Sequence, residues 1–208
     1  MDSTWSALAT FLSVYVVAIL SPGPNFVLVT NTALGESRRA GLLTALGVAV
    51  GSLLFALAGL GGLLVLVDAL PHFATILRFV GGSYLVWIGF TMLRKVVQPV
   101  SGNPGQFSGS VRSNWNSLQT GLLTNLTNPK AWAFYLSLFT MIITPHFTIV
   151  GKSLLALTMF LISMSWYMLV AVLISSHSFQ PTFLRWRPWL QGTLGGLLVL
   201  FGARLLLT

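Results

Sequence analysis

Long apolar stretches dominate the chain, and short polar clusters separate them. Six stretches can be marked, at residues 5–33, 42–67, 73–93, 118–143, 154–175 and 190–207. A helix of roughly 20 residues crosses a bilayer, so each can supply one span. Two of the six are interrupted from within. The first holds Ser21-Pro22-Gly23-Pro24-Asn25, and the fourth holds Thr127-Asn128-Pro129-Lys130. Proline lacks an N–H and clashes with the preceding turn, so a helix interior excludes it. In hydrocarbon the freed backbone groups have no water to turn to, and each costs several kcal/mol. Broken helices survive at membrane depth only where they are buried in protein or line a cavity. The pattern predicts an all-α integral membrane protein of six transmembrane helices, with the first and fourth broken.

Composition agrees. Apolar residues make up 55% of the 208 positions, charged residues 7%, and the mean hydropathy is +0.85. A soluble domain carries about 25% charged residues. The formal charge of +8 reflects eleven basic against three acidic residues. There is no dense basic run and no aromatic-basic interleaving, so nucleic acid is not an expected partner; membrane lipid is. The loops after the first, third and fifth stretches hold Arg38, Arg39, Arg94, Lys95, Arg112, Arg185 and Arg187, against Arg78, Lys152 and Arg204 on the other side. The positive-inside rule then puts both termini outside. The Gly/Ser/Pro/Asn-rich stretch 98–116 reads as a cytoplasmic linker between three-helix units at 1–97 and 117–208. Three is odd, so the second unit enters the membrane in the opposite sense, which makes an inverted repeat within one transporter domain. Cysteine is absent. Asp2 stands where a cleaved signal peptide would carry basic residues, so the first stretch is read as a retained helix.

A helix that stops and restarts exposes carbonyls at one cut end and amides at the other. The amide end suits a carboxylate, and the carbonyl end suits an ammonium or a small cation. Two such breaks meeting could hold the zwitterionic part of any amino acid. Ser21, Pro22, Gly23, Pro24, Asn25, Asn125, Asn128, Pro129 and Lys130 are therefore the candidate substrate-binding residues. Gly23 would permit close backbone approach. A plainer reading stays open, in which Asn128 is an N-cap, Pro129 sits at the first helical position and Lys130 snorkels to the interface. Tyr84 and Trp87 are either a cavity wall or helix packing.

Asp2, Glu36 and Asp68 fall at helix ends or in loops, as do His72, His146 and His177. No acid/base pair or nucleophile-base pair falls within a span, so no enzyme, cofactor or metal site is expected.

Three segments resemble the lysine exporter superfamily, in its homoserine/threonine-resistance branch of amino-acid exporters. They are "SPGPNFVLV" from Ser21, "GGSYLVWIGFTMLR" from Gly81 and "GLLTNLTNPKAWAFY" from Gly121. The third looks most like the threonine-exporting members. The resemblance implies efflux of small amino acids or their derivatives across a bacterial inner membrane, driven by the proton motive force. A metal-ion or other small-solute transporter of the same superfamily is the alternative, and a homodimer is a candidate assembly. Some relatives carry Asp where this chain has Asn25, which removes one proton-titrating group from the site.

Overall fold

A computed structural model describes residues 2–21, 23–63, 72–96, 114–139, 148–176 and 180–207. Among them every regular element is helical. In chain order they are α1 (Asp2–Leu20), α2 (Pro24–Gly35), α3 (Arg38–Ala58) with a π-helical turn Gly59–Leu63, α4 (Phe73–Val96), α5 (Asn114–Thr127), α6 (Pro129–Phe139), α7 (Ile149–Ile174) and α8 (Gln180–Leu207). Both expected breaks are present: α1 gives way to α2, and α5 to α6. Two boundaries move. The linker expected over 98–116 lies mostly outside the described residues, but its last three residues already open α5. Arg185 and Arg187, expected in a loop, belong to α8, which contains Pro188.

Helix starts follow local chemistry. Ser37 caps α3 by accepting from the Ala40 amide at 3.1 Å. Thr148 caps α7 by accepting from the Gly151 amide at 3.1 Å. Such caps satisfy amides that have no intrahelical partner. Along the spans, Ser13, Thr91, Thr158 and Thr193 turn their hydroxyls back to the carbonyl four residues earlier, at 2.7–2.9 Å. A hydroxyl paired to its own helix can face hydrocarbon without cost.

Arg38–Gly61, Ile149–Ile174 and Pro188–Leu207 are long and apolar enough to cross a membrane, and Leu8–Leu20 with Pro24–Gly35, bent by 48° at the break, passes the same test only when the pair is taken together. Large apolar side chains face outward, including Leu54, Leu57, Phe79, Phe90, Leu157 and Leu200. Polar ones face inward: Asn125, Ser52, Thr44 and Ser163 are almost fully buried. That inversion of the soluble pattern marks an all-helical membrane protein.

Glycine sets how closely the helices pack. The most extensive contact joins α4 to α8. Gly82 and Gly89, seven residues apart, lie against the backbone of Gly202 and Gly195. The pairing runs antiparallel, and a Cβ on Gly89 would stand 2.5 Å from the Gly195 carbonyl. Small residues permit such backbone approach, which drives helix association in lipid. The second seam joins α3 to α5. A Cβ on Gly47 would meet the Leu118 carbonyl at 2.0 Å, and one on Gly121 would meet the Thr44 carbonyl at 2.1 Å.

The α3–α5 seam runs parallel and continues past the second break. Thr44 Oγ1 donates to the Ser117 carbonyl, Val48 and Ser52 meet Asn125, Phe55 stacks on Tyr135 and Gly59 lies under the Phe139 ring. One unbroken helix thus splints a broken one along its whole length.

Gly47→Ala forces α3 and α5 apart at a backbone contact. It should lower stability by ~1–3 kcal/mol, the usual cost of overpacking. At Gly196 nothing lies within 4 Å of an added Cβ, so Gly196→Ala should leave stability unchanged or raise it by up to ~1 kcal/mol, the helix-propensity gain of alanine over glycine. Thermal unfolding of the two variants in detergent checks the pair.

Candidate functional site

The two breaks meet. Asn25 Nδ2 on α2 donates to Asn125 Oδ1 on α5 at 2.9 Å, and Asn128 Nδ2 donates to Asn25 Oδ1 at 3.3 Å. Asn125 Nδ2 donates to the Val48 carbonyl at 2.7 Å and to Ser52 Oγ at 3.2 Å. Ser52 Oγ lies 3.0 Å from Ser163 Oγ on α7. Tyr135 and Tyr167 line the same pocket, and the Tyr15 hydroxyl lies 3.5 Å from that of Tyr135 and donates to the Met159 carbonyl at 2.8 Å. An amide side chain carries both donors and an acceptor, so three asparagines can satisfy one another at depth. Asn125 is only 1% exposed, and an amide buried there without partners would be costly.

Each cut end has its own solution. Asn128 Oδ1 accepts from the Lys130 amide at 2.9 Å, so Asn128 is the N-cap of α6 and Pro129 occupies its first position. The plainer reading of the second break is therefore realised alongside the functional one: a single side chain caps α6 with its oxygen and reaches Asn25 with its nitrogen. The Asn128 amide donates to the Asn125 carbonyl at 3.2 Å. The Leu126 carbonyl accepts from Trp132 Nε1 at 2.6 Å, and that indole meets Phe55 edge-on. At the first break, the Ser21 amide closes the last turn of α1 and the Gly23 carbonyl opens the first turn of α2.

Lys130 turns inward rather than snorkelling. Its Nζ donates to Ser21 Oγ and, at 3.5 Å, to the Ser21 carbonyl at the end of α1. The lysine stem lies over Gly23, where a Cβ would stand 3.0 Å from Nζ and 3.2 Å from Cδ. Gly23 has extended backbone (φ −156°, ψ −171°), which any residue adopts. Its lack of a side chain makes room for Lys130.

These groups line an open cavity of about 420 Å³, its mouth included. Its wall combines Ser21, Gly23, Pro24, Asn25, Asn125, Asn128 and Lys130 with Ser52, Ala131, Phe134, Tyr135 and Tyr167. Seven sequence-predicted residues therefore come together. Pro22 lies outside the described residues, and Pro129 contributes the helix start. Of the two readings of Tyr84 and Trp87, the structure shows the packing one. They pack on each other at 5.6 Å between ring centres, Trp87 is 62% exposed, and neither lines the cavity. At 100° per residue they project roughly 140–160° away from Gly82 and Gly89, which face α8. Ser52, Tyr135 and Tyr167 escaped the sequence reading. A Ser in a small-residue helix and a Tyr in an apolar one carry no local signal. Among the described residues, no three of His, Cys, Asp and Glu cluster as metal ligands do.

A bundle that is apolar outside, and that brings two interrupted helices together around buried polar groups, has the construction of a membrane translocator. The chain belongs to the LysE type translocator family, whose model matches residues 16–208. It is 29% identical to the threonine efflux protein of Salmonella typhi over 199 residues, covering 96% of this chain and 97% of that one. It is 34% identical to the leucine efflux protein of Enterobacter sp. (strain 638) over 193 residues, covering 90% and 89%. The leucine efflux protein of Klebsiella pneumoniae is 32% identical over 202 residues, covering 94% and 92%. No solved structure matches the chain.

Asn125→Ala removes the acceptor of Asn25 Nδ2 and a donor to Val48. It should destabilise the protein by ~1–3 kcal/mol, the cost of a stranded buried polar group. Gln119→Ala, on the exposed face of the same helix, should stay within ~0.5 kcal/mol. Denaturation curves of the two variants test whether the amide network carries that energy.

Proposed function

We propose that this chain is a secondary transporter that exports small neutral amino acids, threonine-like or leucine-like, from the bacterial cytoplasm. The observation that carries the reading is the meeting of the two cut helices. The Ser21 carbonyl and hydroxyl offer partial negative charge, and the Lys130 ammonium stands beside them. A zwitterion presents an ammonium and a carboxylate a few ångströms apart and matches that pair. The apolar wall of Ala18, Ile19, Ala131 and Phe134 suits a short uncharged side chain. The names of the similar efflux proteins support the same substrate class.

The proton motive force drives export in this reading, and the chain crosses the membrane six times as two inverted three-helix units with both termini outside. Helix directions support the count. The parallel pairing of α3 with α5–α6 requires an even number of passages from one to the other, as the second and fourth of six crossings supply. The antiparallel pairing of α4 with α8 requires an odd number, as the third and sixth supply. The α4–α8 seam is also unchanged when the two helices trade places, because each brings two glycines seven residues apart. Ser52 and Ser163, on the second helix of each unit, meet each other. Both features are expected on a pseudo-twofold axis.

An amino-acid panel tests the reading. The chain is expressed in a sensitive bacterium, challenged with single amino acids, and export is measured with and without a proton gradient. Gradient-dependent efflux of one or more small neutral amino acids is expected. Lys130→Ala and Asn128→Ala should each cut it at least about tenfold while the protein remains in the membrane, the loss expected when one charge-assisted or buried hydrogen bond of about 1.5–3 kcal/mol is removed. Unchanged export by both variants would sink the two-break site.

A further inference from the structure

Among the described residues lining the cavity, Lys130 is the single charged group. The other titratable neighbours are the phenols of Tyr135 on α6 and Tyr167 on α7. The parts of α1, α2, α3 and α5 that face it bring apolar, Ser, Asn and Pro groups, with no carboxylate and no imidazole. The ammonium rests on the Ser21 carbonyl and hydroxyl. A helix C-terminus carries partial negative charge, so this is where an incoming ammonium would be drawn. The protein fills that place with its own.

We propose that Lys130 is the specificity-determining charge of the transport site, acting by an exchange of partners. On loading, the substrate ammonium takes the Ser21 carbonyl and hydroxyl, and Lys130 turns to the substrate carboxylate. The inference rests on the amino-acid reading and names the substrates that the site refuses. After the exchange, carbonyl dipole, ammonium, carboxylate and Lys130 ammonium alternate in sign. The net charge of the cavity is unchanged, because a zwitterion adds none. A cationic side chain breaks that arrangement, since it adds a net positive charge to a wall whose described residues include no acid to meet it. Like charges a few ångströms apart and shielded from bulk water repel far more strongly than in solution. An amine without a carboxylate sets its ammonium directly beside Lys130. A 2-hydroxy acid meets Lys130 with its carboxylate but brings the Ser21 carbonyl only a neutral hydroxyl in place of an ammonium. Both halves of the amino-acid head are therefore required, and lysine and arginine are excluded.

The test uses the whole protein. Purified chain in detergent is heated with threonine, leucine, their decarboxylated amines, their 2-hydroxy-acid counterparts, lysine and arginine. A neutral amino acid should raise the unfolding temperature. Lysine, arginine and the amines should fail to do so at tenfold higher concentration. Equal stabilisation by lysine or by an amine overturns the inference. In proteoliposomes, Lys130→Arg should keep the preference for neutral over cationic amino acids. Lys130→Gln should lower that ratio at least about tenfold, and an unchanged ratio overturns the assignment to Lys130. Should Lys130→Gln fail to fold, the wild-type ligand series still decides. If no amino acid stabilises or crosses with the wild-type protein, the amino-acid reading itself falls and takes this inference with it. A loss of charge discrimination alone overturns only the inference.

Discussion

A helix that stops and restarts must find partners for the backbone groups that it bares, and this molecule is organised around meeting that demand twice. Proline at the first position of each restart removes one N–H from the demand. The remainder is met from elsewhere in the chain. Asn128 and Trp132 serve the second cut, and Lys130 crosses from the second cut to serve the first. The breaks therefore depend on each other. The second supplies the cation that covers the bared end of α1, and the first supplies the empty space at Gly23 through which that cation passes.

That dependence explains why α3 carries so many small residues. A broken span has no continuous hydrogen-bonded spine across its gap, so its two halves need an external guide. α3 follows α5 and then α6, with Gly47 and Gly51 beside the first and Phe55 and Gly59 beside the second. Close packing comes first and the chemistry is built into it. A Cβ on Gly51 would lie 2.8 Å from Asn125 Nδ2, so the same glycine that admits α5 also leaves room for its amide.

The breaks were legible in the sequence because proline and asparagine stand out in an apolar run. So were the helical class and the inward position of most of the candidate residues. What stayed hidden depended on register between helices. Ser52 and Ser163 look like ordinary small residues until α3 and α7 are set side by side, and Tyr135 and Tyr167 look like ordinary apolar filling. Tyr84 and Trp87 had two readings for the same reason: they sit in a conspicuous motif, and only the packing of α4, whose Gly82 and Gly89 face α8, shows that the rings pack on each other. The second break had two competing readings because one residue, Asn128, performs both roles through different atoms.

The α4–α8 seam is made of backbone meeting backbone, and it reads the same from either end. Such a joint has no built-in direction: exchanging α4 and α8 leaves the glycine pairing as it was. Side chains close around it: Leu206 lies over Gly82, Val199 over Gly89, and Met92 and Leu93 over Gly195. The two breaks, by contrast, are not alike. The clearest difference is that one break ends in a serine carbonyl while the other carries a lysine.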